Sequence, residues 1–114
     1  MTKEQKQEAL AALDTYAAIF GPRLTSSVDF SDEGNGPLAD GCCCAIGALG
    51  IYDAQIKPDV LIGGIVVFNW YATAVRFGFR NDFEVFSVND SFHGTPEERF
   101  THMRKWVEDY PTSD

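Results

Sequence analysis

Two helix-start signals stand near the ends of this chain, and they constrain its fold more than anything between them. Thr2 with Gln5, and Thr95 with Glu98, both have capping-box spacing, in which two side chains and two first-turn N–H groups satisfy each other. Behind Thr2, the residues Leu10, Leu13, Ala17 and Phe20 recur at steps of three and four. This predicts an amphipathic helix that Gly21 and Pro22 end. Behind Thr95, Pro96 suits the first helical position, Phe100, Met103, Val107 and Tyr110 make the apolar stripe, and Pro111 stops the run.

The interior is less explicit. Asp40 is placed to cap a short helix over 41–49, with Cys42, Ile46 and Leu49 on one face and Gly50 closing it. Residues 51–57 then read as a connector ended by Pro58. Asp59 is placed to cap a longer element whose Leu61, Ile65, Phe68, Ala72, Val75 and Phe79 recur at four and three. A strand competes there, because valine and isoleucine favour sheets and each of Gly63 and Gly64 weakens a helix by about 1 kcal/mol. The stripe persists through 19 residues, too long for one strand, so a helix is the expectation. Residues 83–88 are ambiguous between an extended segment and a helical turn, and Asn89-Asp90-Ser91 has turn chemistry. The expected fold is mainly α: one domain over 1–114, an irregular four-helix bundle, with room for a short extended segment near 83–88.

Charge is distributed unevenly. The net charge is −8, and from 24 to 56 there is no Lys or Arg, while Asp29, Asp32, Glu33, Asp40 and Asp53 all fall there. Residues 23–39 read as an acidic loop anchored by Val28 and Phe30. An acidic body repels phosphate backbones, which argues against direct nucleic-acid binding and allows docking into a basic groove on another protein. The ordinary alternative is a solubility charge on a small domain. Residues 60–79 contain Asn69, Thr73, Arg76 and three glycines, and so lack the apolar span of roughly 20 residues that a bilayer demands. The opening MTKEQKQEAL has no apolar run behind its basic residues, so no signal peptide is expected. Three adjacent cysteines make no disulfide framework, and a reducing cytoplasm is the expected compartment.

Three groups of residues invite chemistry. Consecutive helical residues point about 100° apart, so Cys42, Cys43 and Cys44 cannot close one tetrahedral metal site, and His93 and His102 add no zinc-ligand spacing. No metal or cofactor is expected. Cys42 and Cys43 in a first helical turn would gain some thiolate character from the helix dipole, although nearby carboxylates oppose it. A small buried apolar role is the simpler reading for the cysteines. Asp90 beside His93 has the composition of an acid–base pair, against a structural role in fixing the turn. Asn69, Thr73 and Arg76 share a helix face, either solvated or facing an anion. If that helix is central, Arg76 needs a carboxylate such as Asp90.

The run Cys44-Ala45-Ile46-Gly47-Ala48-Leu49, a helical middle, Asn89-Asp90 and then Thr95-Pro96-Glu97-Glu98 together resemble an uncharacterised family of small actinobacterial and phage proteins. The resemblance covers roughly 41–110. Where such proteins often carry tryptophan before Asn-Asp, this chain has Val88. The family implies a phage-like or bacterial setting and carries no activity over.

The leading expectation is therefore a non-enzymatic, phage- or prophage-type inhibitor. Asp29, Asp32, Glu33 and Asp40 would dock on a basic groove of a host nucleic-acid-handling defence protein in the bacterial cytoplasm. An alternative is a small-ligand or nucleotide-sequestering homo-oligomeric protein, using Asn69, Thr73, Arg76, Asn89, Asp90 and His93. A third is a cysteine-dependent enzyme, although no catalytic set is recognisable.

Overall fold

A computed structural model describes residues 1–25, 44–54 and 69–113. Five helices form among these residues: α1 Lys3–Phe20, α2 Ala45–Ala54, α3 Trp70–Arg76, α4 Asp82–Ser91 and α5 Pro96–Glu108. The mainly helical, bundle-like fold is as expected, with no strand among the described residues.

Both capping boxes form. Gln5 N donates to Thr2 Oγ1 at 3.0 Å and Thr2 N donates to Gln5 Oε1 at 2.8 Å. The matching distances at Thr95 and Glu98 are 3.1 and 2.8 Å. Gly21 ends α1 with φ +98°, a backbone that glycine adopts readily. The face α1 buries is Ala9, Ala12, Leu13 and Tyr16, while Leu10, Ala17 and Phe20 flank the core partly buried. The stripe is thus rotated from the expected one. α1 packs against α2, and two of its four buried residues are alanines.

The middle of the bundle departs further from expectation. α2 begins at Ala45 and runs through Gly50 to Ala54, so residues 51–54 are helix, not connector. All of 44–51 is buried, because α2 lies in the centre against α1, α3 and α4. Packing on every side outweighs the roughly 1 kcal/mol that an interior glycine costs. The expected cap Asp40, with Cys42 and Cys43, lies outside the described residues, as does most of the stripe from Leu61 to Phe68. That stripe does not continue as one helix. Asn69 is the N-cap of α3, accepting from Ala72 N at 2.8 Å with extended backbone, and α3 ends at Arg76. Gly78 turns the chain at φ +92°, and Phe77 and Phe79 are both buried past the helix end.

Residues 83–88 belong to α4, not to an extended segment. Asn81 caps it by accepting from Glu84 N at 2.8 Å. Asn89, Asp90 and Ser91 form its last turn, which overturns the expected β-turn there. α5 buries Phe100, Met103 and Val107 as the spacing predicts. Trp106 stacks on Phe79 with ring centroids 5.4 Å apart, and Tyr110 meets both rings edge-on.

Candidate functional site

The acidic residues proposed for docking, Asp29, Asp32, Glu33 and Asp40, lie outside the described residues. The points where their segment leaves and rejoins the bundle are described, and they converge on one side chain. Asn89, 1% exposed, donates from Nδ2 to Thr25 O at 3.0 Å and accepts at Oδ1 from Ala45 N at 3.2 Å. Its Nδ2 also donates to Asp90 Oδ1 at 2.9 Å. The last described residue before the segment and the second one after it are therefore held by one buried amide.

Arg99 braces the same root from α5. Its Nε, Nη1 and Nη2 donate to Asn89 O, Leu24 O and Phe92 O at 3.1, 3.2 and 3.2 Å. Two of these carbonyls lie at the C-terminal end of α4, where helix carbonyls lack internal partners and favour a cation. Leu24 is fully buried, and its N–H donates to Pro96 O at 3.0 Å.

Cys44 stands where the chain re-enters. It is fully buried, and burial pushes its thiol pKa up to about 12, against the opposing pull of the Gly47 and Ile46 N–H groups. A thiol so held supplies almost no thiolate at neutral pH. The small-apolar reading holds for Cys44; Cys42 and Cys43 are outside the described residues.

The polar residues of the alternative site take separate structural roles. Asn69 is a helix cap, Thr73 is 6% exposed within the core, and Asn89 holds the root. Arg76 pairs with Glu8 on α1 and Asp53 on α2, at 2.5 and 3.1 Å, rather than with Asp90. Its hydrogen bonds and charge lower the Glu8 pKa below the usual carboxylate range. His93 is exposed in the turn between α4 and α5. Arg104 makes a comparable clamp, joining Asp14 on α1 through Nε and Nη2, both at 2.9 Å, and also Glu108.

Beside the root, the start of α5 carries an open groove of about 430 Å³ lined by Phe92, Glu97, Glu98, Thr101 and His102. The Phe92 and His102 rings stack with centroids 4.6 Å apart. Neither Arg99 nor this groove was foreseen from the sequence. The signal for Arg99 is its place one turn into a capped helix, which is visible only once the α4 terminus is known to face it.

Among the described residues no group of three His, Cys, Asp or Glu is placed to hold a metal ion, and no helix is long and apolar enough to cross a membrane. No family model, curated protein or solved structure matches this chain.

Proposed function

We propose that this chain is a non-enzymatic binding protein that docks, through the carboxylates of its basic-free stretch, onto a basic surface of another protein. The observation that carries the reading is the convergence of Thr25 and Ala45 on Asn89. Eighteen residues bearing four of the carboxylates leave from, and return to, one buried anchor. A segment rooted so tightly loses less entropy on binding than one hung between distant points.

Commitment of the chain's own cations supports it. Arg76 serves Glu8 and Asp53, Arg104 serves Asp14 and Glu108, and Arg99 serves three backbone carbonyls. Among the described residues, Asp53 is the carboxylate of the stretch that is paired in this way. Lysines and arginines on a partner that normally hold phosphates are the natural complement of the rest. The resemblance to small actinobacterial and phage proteins supplies the setting we favour, inhibition of a host nucleic-acid-handling defence protein in a bacterial cell.

The test is capture from a bacterial lysate by wild type and by the quadruple variant D29N/D32N/E33Q/D40N. A protein retained by wild type at low salt, released at high salt and missed by the variant is the expected result. Equal retention by both proteins would overturn the reading.

A further inference from the structure

We infer that the groove between Phe92 and the first turn of α5 receives an arginine side chain of a basic protein partner. For the identity of that partner, this rests on the docking reading above. The groove adjoins the root of the acidic segment. Arg99 holds Phe92 O together with Leu24 O and Asn89 O, and Pro96, next to Glu97, accepts from Leu24 N. A partner that reaches the root at Thr25 and Ala45 therefore has this groove beside it.

The chemistry of the walls selects the occupant. One wall is aromatic: the half-buried Phe92 ring, stacked on His102 at 26° between ring planes. Planar guanidinium groups pack on such rings, gaining cation–π attraction and keeping their in-plane N–H groups free to donate. The lining also includes Glu97, exposed, whose carboxylate has no hydrogen bond or ion pair among the described residues. Glu98 is partly spent, since its Oε1 accepts Thr95 N at 2.8 Å and completes the cap.

A helix N-terminus ordinarily attracts anions, so the balance of charge decides the sign. The helix end contributes about +0.5 of a charge, against two full negative charges from Glu97 and Glu98. Arg99, turned to the carbonyls of Phe92, Leu24 and Asn89, offsets part of that, so the balance is slightly negative and favours a cation over an anion. Gly94 preserves the opening between the walls: a Cβ there would lie 2.7 Å from the Phe92 ring and 3.1 Å from Glu98 Oε1.

The probe is the capped tripeptide acetyl-Gly-Arg-Gly-amide, titrated at millimolar concentration while NMR shifts of Phe92 and His102 are followed. The citrulline analogue, which keeps the shape and loses the charge, is the control. Saturable shifts with arginine and much smaller ones with citrulline are expected. Glu97→Gln should weaken the arginine response roughly two- to fivefold, as for a solvent-exposed ion pair. The Glu97 carboxylate has no partner among the described residues, so this variant is expected to keep its structure, which circular dichroism verifies. Absence of shifts, or equal shifts with citrulline, would overturn the inference. The quadruple acidic variant separates the two readings. It should keep the peptide response while losing lysate capture; peptide failure with salt-sensitive capture intact sinks the groove and leaves docking standing.

Discussion

Asn89 looks from the sequence like a turn residue, and its environment makes it a keystone. Removing its amide leaves Ala45 N–H and Thr25 O without their partner near the core, where each orphaned group costs about 1–3 kcal/mol. Asn89→Ala is therefore expected to lower the midpoint of urea unfolding substantially, whereas Ser91→Ala, at an exposed neighbouring position, changes it little. Equal effects would refute the anchor role. Gly78 is irreplaceable for two reasons: φ is +92°, and a Cβ would lie 2.6 Å from Gln5 Oε1 and 2.9 Å from Met1 Cα. Gly78→Ala should cost roughly 1–3 kcal/mol, measurable by the same denaturation series. For Cys44, a thiol pushed up to about 12 and fully buried should resist iodoacetamide at pH 7.5 until the protein is unfolded. Fast labelling of Cys44 in the native state would contradict its placement.

The two capped end helices were readable because their signals are local. Thr2 with Gln5, and Thr95 with Pro96 and Glu98, name their own partners within one turn. Thr95→Ala should remove about 1 kcal/mol, which thermal unfolding would detect. The interior helices were harder because their boundaries answer to tertiary contacts. Gly50 reads as a stop, yet lies inside a helix that is buried from Ala45 through Ile51. Asn69 reads as a polar face residue, yet starts a helix. The α4 cap was present in sequence as Asn81 with Glu84, but Val85 and Asn89 are the buried residues of that helix, and a buried asparagine interrupts any apolar stripe. Ion pairs between elements also escape local reading, and they imply a pH dependence. Hydrogen bonding to arginine lowers the pKa of Glu8 (Arg76) and Asp14 (Arg104). Because the folded values lie below the unfolded ones, this stabilisation is full above the unfolded carboxylate pKa and vanishes as pH falls through the folded values. Wild type should therefore lose more melting temperature between pH 6 and pH 3 than the double variant Arg76→Met/Arg104→Met. Parallel curves would show that the clamps contribute nothing.

For the molecule as a whole, a helical framework commits Arg76, Arg99 and Arg104 to its own seams and holds Thr25 and Ala45, on either side of the acid-rich segment, at one place. The mainly helical bundle was legible, because several apolar stripes need a common core; α4, which the sequence left ambiguous, was not. The root joining Thr25 and Ala45 was not, because it is made by an asparagine and an arginine that meet only after folding. On the proposed reading, the carboxylates between Thr25 and Ala45 drive association with a basic partner. The most direct test measures the dissociation constant of a captured partner across a salt series, for wild type and for D29N/D32N/E33Q/D40N. The predicted result is affinity that falls steeply with ionic strength for wild type, and a much flatter, weaker dependence for the variant. Identical salt dependence and affinity in the two proteins would contradict it.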